Sequence, residues 1–386
     1  TVINSQGGGN ATALPRFLEE LRQTTGIDVA AAARSLSGQQ EPVALEGLEE
    51  DGARGVPVDL SRESNVAAVV ADADLVVGAV PGFMGYRTVG HVLDQGKPVV
   101  DISFFPEDAS GLQERAAAAG VPCLVDCGVA PGLSNLILGH VHADLDETRS
   151  FEALVGGLPV ERSSPWEYKA PFSPRDVIQE YVRPARMRRH GQAVTLPALS
   201  EVELVDFPGL GTLEAFNTDG LRSLLASLPD VPNMVEKTMR YPGHAKLMRT
   251  LREAGFFSER EIQAASGAAR PLDVTEALLF DQWAFEEGEP DLTVCRFTVE
   301  GTRNDQPVRH VYNLLDYYEP ETETSSMART TGYTCTALVN VVARGLWTEP
   351  GVAAPETVGA DEECYQAVIS HLEDRGVHIF HRIEEG

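Results

Sequence analysis

Short apolar runs alternate with helix-length amphipathic stretches through the first ~130 residues of the chain. The clearest buried strand is predicted over residues 74–80 (Asp-Leu-Val-Val-Gly-Ala-Val), running into Pro81-Gly82. Residues 27–33 read as an earlier strand followed by Arg34-Ser35, and residues 56–60 as another with Asp59 at its tip. Residues 98–103 and 121–125 complete the set, ending near Asp101 and at Asp126. Helices are expected over 64–70, over 86–95 with Val89, Val92 and Leu93 inward, and over 112–119 with Gly120 as its stop. Strand and helix in strict alternation predict a doubly wound parallel sheet with helices on both faces, an α/β fold.

After Asn135 the rhythm changes. A helix continues over 136–142, a strand over 151–155 ends at Gly156-Gly157, and residues 157–220 are rich in glycine, proline and polar groups. Strand-like pieces recur at 201–207 and 213–216, and Leu247, Met248 and Leu251 share one face of a helix over 244–253. Residues 292–300 and 308–316 alternate around Asn304-Asp305, which predicts an antiparallel hairpin. The last stretch returns to helix, at 328–344 and at 364–375, the latter with Tyr365, Val368, Ile369 and Leu372 at helical spacing. The expected organisation is a dinucleotide-binding domain at 1–130, an α+β mixed-sheet domain at 131–327, and C-terminal helices at 328–386 packing back on the first domain.

Composition narrows the function. A net charge of −27 opposes nucleic-acid binding, which requires neutralising phosphates, and fits an acidic solvated surface. No apolar run reaches the length of a membrane span and no leader is read, so no membrane partner and a cytoplasmic location are expected. The five cysteines show no CxxC spacing, so neither a metal site nor a disulfide framework is expected.

Ligands of doubly wound sheets bind at the carboxyl ends of the strands, so the chemistry is sought there. Gly7-x-Gly9 with Asn10 follows the first short strand and has the outline of a phosphate-binding turn, although Thr12 stands where a third glycine is expected. At the second tip, where an acidic residue would bond a ribose hydroxyl, Arg34 and Ser35 favour a 2′-phosphate and hence NADP over NAD. A solvated arginine in a polar loop is the alternative. Asp59, Val80-Pro81, Asp101, and Asp126 with Cys127 and Gly128 complete the candidate slot.

Three of these segments, Gly78–Gly85, Val100–Glu107 and Asp126–Asn135, resemble the saccharopine dehydrogenase-like superfamily. Gly156-Gly157-Leu158-Pro159, Tyr168-Lys169, Ser173-Pro174-Arg175-Asp176, Arg183-Pro184-Ala185-Arg186, Asn217-Thr218-Asp219-Gly220-Leu221-Arg222 and Arg240-Tyr241-Pro242-Gly243-His244 resemble its L-lysine 6-dehydrogenases. The resemblance implies a Rossmann domain, a mixed-sheet catalytic domain, a homodimer, and NAD(P)-dependent oxidative deamination of the lysine ε-amine to a semialdehyde that cyclises.

That chemistry needs a neutral amine, a cation for the α-carboxylate and an acceptor for the α-ammonium. Tyr168 and Lys169 are the candidate acid and base, with a packed Tyr beside a surface Lys as the alternative. Asp126 or Asp101 would hold the amine or a water, or else cap a helix. Cys127 would face the nicotinamide or simply pack. Arg183, Arg222 and Arg240 are the candidate carboxylate clamp, each open to being a structural ion pair. Thr218 and Asp219 would take the α-ammonium or form a turn, and His244 would bond substrate or start its helix. A saccharopine, opine or polyamine dehydrogenase and a non-catalytic NADP-binding sensor are the competing readings.

Overall fold

The computed structural model describes residues 2–6, 30–35, 54–171, 174–265 and 267–385. The chain divides into two compact units: Thr1–Asp144 with Ala328–Val377, and Leu145–Met327 with His378–Gly386.

In chain order the first unit contains β1 (Val2–Gln6), β2 (Ala30–Ser35), β3 (Arg54–Pro57), α1 (Glu63–Val70), β4 (Val76–Ala79), α2 (Gly82–Asp94), β5 (Val99–Asp101), α3 (Gln113–Ala119), β6 (Pro122–Leu124) and α4 (Leu133–Asp144). The second contributes β7 (Glu147–Pro159), α5 (Pro174–Val182), β8 (Ala185–Arg189), β9 (Gln192–Leu196), β10 (Glu203–Phe207), β11 (Gly211–Asn217), α6 (Leu224–Ser227), β12 (Met234–Arg240), α7 (His244–Glu253), β13 (Ile262–Ala264), β14 (Gly267–Ala269), α8 (Pro271–Trp283), β15 (Asp291–Arg303) and β16 (Gln306–Tyr317). The chain then returns to the first unit with α9 (Ser326–Ala343), β17 (Gly351–Ala353), α10 (Pro355–Gly359) and α11 (Glu362–Glu373), and ends in the second with β18 (Ile379–Glu385).

The first unit is built on a parallel sheet of order β17-β6-β5-β4-β1-β2-β3. This is a Rossmann arrangement, with the strand order reversing between β1 and β4. Its core joins Val76 and Val80 of the β4 region, Val89, Val92 and Leu93 of α2, Val99 of β5 and Cys123 of β6. The helical spacing of the α2 residues explains why all three point inward. Gly120 closes α3 at φ 69°, a left-handed conformation that suits glycine. Helices α4 and α10 meet backbone to backbone: a Cβ on Gly139 would overlap the Glu356 carbonyl, and one on Gly359 would overlap that of Leu136.

The second unit is built on a mixed sheet of order β10-β11-β12-β7-β15-β16-β18, with β8 and β9 added beside β12. The β12–β7 pair is parallel and the others antiparallel. Strands β15 and β16 form a hairpin around Asn304 and Asp305 at φ 53° and 62°, the left-handed pair that matches strand twist.

Two expectations need correction. Leu247 is exposed, while Met248 of the same helix is buried, because α7 presents a narrower face to the core than the apolar pattern implies. The last residues, expected within the C-terminal helices of 328–386 that pack on the first domain, instead form strand β18 in the sheet of the second unit. Its side chains are almost all exposed, so it shows no inward-outward alternation to read. No helix among the described residues is long and apolar enough to cross a membrane.

Candidate active site

In the first unit the tips of β4, β5 and β6 lie side by side. Ile102 N–H donates to the Gly78 carbonyl at 2.9 Å and Cys127 N–H to the Asp101 carbonyl at 3.0 Å, so the segments after Ala79, Asp101 and Leu124 leave the carboxyl end of the sheet together. Asp101 is fully buried, and its Oδ1 accepts from the Ser103 N–H at 2.9 Å and from the Ser103 hydroxyl. A Cβ on Gly78 would overlap the same carboxylate, so glycine is required beside it. Asp126 turns the chain at φ 59° and is buried.

Cys127 is buried, and burial pushes its thiol well above the ordinary value, which fits a packed neutral side chain rather than a nucleophile. The Gly128 carbonyl accepts from Leu133 N–H at 2.9 Å as α4 begins. Asn135 anchors this turn: its Oδ1 accepts from the Ser134 hydroxyl at 3.0 Å and its Nδ2 donates to Glu356 at 3.1 Å. Val80 is buried, and Pro81 directly precedes α2. Asp59 lies two residues beyond β3, where it accepts from Ser61 N–H at 3.0 Å and Ser61 Oγ at 2.6 Å and so shapes the turn into α1. Arg34 and Ser35 end β2, level with Ser5 and Gln6 of β1. Gly7, Gly9 and Asn10 lie outside the described residues.

The second unit carries a polar stripe. Glu236, Thr238 and Arg240 alternate along β12 and therefore share one face. Glu214 of β11 stands opposite Arg240 in register. Its carboxylate accepts from the Gly243 and Ala245 N–H groups at 3.0 and 2.5 Å, capping α7, as an anion should at a helix N-terminus. Arg240 is 2% exposed; it donates to Glu180 of α5 at 2.8 Å and to the Met239 carbonyl at 3.0 Å, and its guanidinium lies 4.5 Å from the ring centre of Tyr168. Among the described residues the Tyr168 hydroxyl and Arg240 Nε have no hydrogen-bond partner. Burial pushes the Tyr168 phenol well above its usual range, so it stays protonated.

His244 is fully buried beside this group. Its Nδ1 lies 2.8 Å from the Trp166 carbonyl and its Nε2 2.9 Å from the Tyr181 hydroxyl. A carbonyl only accepts, so Nδ1 carries the proton and Nε2 accepts from Tyr181. Burial, assisted by the charge of Arg240, holds the imidazole down at about 3, so it is neutral. Both ring nitrogens are thus used by the protein itself.

Lys169 points elsewhere than its neighbour Tyr168: its Nζ is 2.5 Å from Glu289 and 5.9 Å from the ring centre of Phe285. Acting as a base would require it to leave that carboxylate. Asp219 is likewise engaged, by the Arg186 guanidinium at 2.9–3.2 Å and by the Arg186 N–H at 3.1 Å. Arg183 stands where the charges of Asp219, Arg222 and Arg186 are felt; burial lowers it, with Arg222 and Arg186 adding to the effect and Asp219 opposing it. Thr218 links two members of the stripe, bonding Glu236 at 2.7 Å and Thr238 at 2.8 Å.

Glu180, Arg186, Glu214 and Glu236 were not singled out from sequence. A period of two running back from Arg240 through Thr238 to Glu236 was the available signal. At the surface of the first unit, Glu63, His91 and Asp94 bring one ligand atom each within 4.8 Å of one another, a grouping their sequence spacing does not reveal.

The chain is 23% identical to the saccharopine dehydrogenase (NADP+, L-glutamate-forming) of Schizosaccharomyces pombe over 412 residues, covering 88% of this chain and 90% of that one. It is 24% identical to the Pyricularia oryzae enzyme of the same name over 404 residues, covering 86% and 89%. Among solved structures, the apo saccharopine dehydrogenase (L-Glu forming) of Saccharomyces cerevisiae superposes over 99% of both chains with a TM-score of 0.78 and 18% identity. Homospermidine synthase of Legionella pneumophila, solved with NAD, matches over 99% of this chain and 91% of that one with a TM-score of 0.66 and 11% identity. These two share the fold. The pattern defining the Saccharopine dehydrogenase C-terminal domain matches residues 128–377. The chain therefore belongs to the saccharopine dehydrogenase family of oxidoreductases.

Proposed function

We propose that this protein is an NAD(P)-dependent dehydrogenase acting on the carbon–nitrogen bond of an amino-acid amine, with the ε-amine of L-lysine as its substrate. The products are ammonia and the semialdehyde, which cyclises to a piperideine carboxylate. The observation that carries the reading is the buried polar stripe on β12, which puts the guanidinium of Arg240, held by Glu180, and the carboxyl of Glu236, held by Thr218, on one face. A zwitterionic amino acid with a second amine needs both signs of charge in such proximity.

The strand reversal between β1 and β4 is where Rossmann sheets take dinucleotides, and the glycine required at position 78 lets the β4 tip pack closely on its neighbour. Those features fit a nicotinamide dinucleotide, which when bound supplies the hydride acceptor. Val80, Pro81, Cys127 and Gly128 would line its nicotinamide end, and Arg34 with Ser35 at the end of β2 favours NADP. On the substrate side, Arg183 and Arg222 hold the α-carboxylate. Arg240, fixed by Glu180 and stacked on Tyr168, sets a positive field over the buried end of the stripe. The His244–Tyr181 pair keeps the wall behind it neutral and rigid.

A second reading, oxidation of a secondary amine of the saccharopine type, is supported by similarity that spans most of both chains to enzymes carrying that name. The test offers L-lysine, saccharopine, cadaverine and homospermidine with NAD+ and NADP+ and follows reduced-cofactor absorbance. Turnover of L-lysine with release of ammonia supports the first reading, and turnover of saccharopine alone replaces it with the second. Cofactor binding without turnover of any amine makes the protein a sensor and overturns both.

A further inference from the structure

The stripe on β12 holds a carboxyl group with an unfinished set of bonds. Glu236 is 7% exposed. Its Oε2 accepts from the Thr218 hydroxyl at 2.7 Å and from the Gly220 N–H at 3.0 Å. Thr218 has a single hydroxyl proton, so in this arrangement Thr238 donates to Thr218 across their 2.8 Å contact. Oε2 is therefore supplied with donors, while Oε1 has no hydrogen-bond partner and the carboxyl no cation partner among the described residues. A Cβ on Gly220 would stand 2.5 Å from Glu236 Cδ, so glycine at that turn is part of how the carboxyl is seated.

The neighbouring carboxyls differ. Glu180 of α5 is committed to Arg240, and Asp219 after β11 is committed to Arg186 of β8. Arg183, between α5 and β8, feels the negative charge of Asp219. Glu214 has no cation either, but its two oxygens are taken by the N–H groups that begin α7; of the remaining three carboxyls Glu236 is the one without a cation among the described residues, and a buried carboxylate so placed is unfavourable.

We infer that Glu236 is the group that receives the ammonium of the substrate and removes its proton, with Oε1 as the contacting atom. The inference rests on the amine-oxidising reading above and names its base. In the step, an N–H bond of the ammonium breaks, its electron pair stays on nitrogen, and the proton passes to Oε1, leaving a neutral amine and a neutral carboxyl. The step is a proton transfer and needs no oxidant. The charge balance supports it. Burial pushes Glu236 up to about 8, Thr218 and Gly220 pull it down, and the charges of Glu180 and Asp219 add to burial. The carboxylate form, which predominates above about 8, is the one that pairs with the ammonium and accepts its proton, so the step gains as pH rises through that value. Asp219, already bound on both oxygens, is not available for this role.

Glu236→Gln tests the inference, because the amide oxygen keeps the Thr218 and Gly220 bonds while the group no longer ionises. For the amine that the wild type oxidises, kcat/KM should fall by about 10²–10⁴-fold in E236Q and lose its rise with pH near 8. L-Lysine binding to the cofactor-free chain at pH 9, followed by calorimetry, should weaken by more than about tenfold in E236Q relative to the wild type. Should E236Q fail to fold, Glu236→Asp serves instead: it keeps the ionisation and should keep a pH-dependent rate. An E236Q variant with the wild-type pH profile, equal affinities, or a raised KM with unchanged kcat overturns the inference. So does a wild type that binds no L-lysine. Binding that depends on Glu236 without turnover of any amine supports the ammonium site and overturns the dehydrogenase reading instead.

Discussion

Arg240 lies over Tyr168, its guanidinium carbon 4.5 Å from the ring centre, at a depth where neither residue is more than 2% exposed. A planar cation stacked on a ring keeps its edge free for Glu180, which it meets at 2.8 Å. The contact fixes the direction of the guanidinium through the shape of the ring as well as through charge.

Replacing Arg240 by leucine would leave Glu180 without its cation. A loss of about 3 kcal/mol in unfolding free energy is expected, measured by urea denaturation. Arg240→Lys retains the charge but not the stacked plane, and should cost less stability while still reducing turnover. Equal stability of the leucine variant and the wild type would show that the pair does not hold the stripe.

His244 makes stability depend on pH with a defined sign. Its folded value of about 3 lies below the ordinary 6.5, so the unfolded chain takes up a proton first as pH falls. The stabilisation is complete above pH 6.5 and is lost toward pH 3 at up to about 1.4 kcal/mol per pH unit. Glu236 works in the opposite direction: its raised value, about 8 against 4.5, gives a contribution that is full below pH 4.5 and lost as pH rises through 8. Between pH 4.5 and 6.5 the two slopes oppose each other. The difference in unfolding free energy between the wild type and His244→Gln should therefore narrow as pH is lowered from 6.5. A difference constant over that range would contradict the neutral imidazole.

The parts of the fold that were legible in the sequence are those whose buried faces are apolar. The strand at β4, the α2 residues Val89, Val92 and Leu93, and the hairpin at Asn304-Asp305 all announce themselves by period or by turn chemistry. Strand β12 was opaque because its stripe face carries Glu236, Thr238 and Arg240, so polarity and inward direction coincide where the pattern expects the opposite. The same inversion concealed Glu236 as a candidate. Arg240 was recognisable by its motif, but its partner Glu180 comes from α5, sixty positions away along the chain, and only folding pairs them.

The crossing of α4 and α10 predicts a sharp response to a single methyl. In Gly359→Ala the new Cβ meets the Leu136 backbone, which no rotamer can relieve. Destabilisation of about 1–3 kcal/mol or more is expected in a thermal or denaturant melt. A variant that melts with the wild type would show that the helices stand further apart.

Arg183 separates carboxylate recognition from amine chemistry. Arg183→Met should raise KM for L-lysine by about 10–100-fold while leaving turnover of cadaverine, which has no carboxylate, within about twofold. Equal losses for both amines would move Arg183 out of the clamp and into the support of Asp219.

The central claim, that a primary amine is oxidised and its nitrogen released, is tested most directly by supplying L-lysine labelled with ¹⁵N at the ε position together with NADP+ and NAD+. The account predicts labelled ammonia appearing in step with reduced cofactor. Reduced cofactor without labelled ammonia, or none of either, would contradict it.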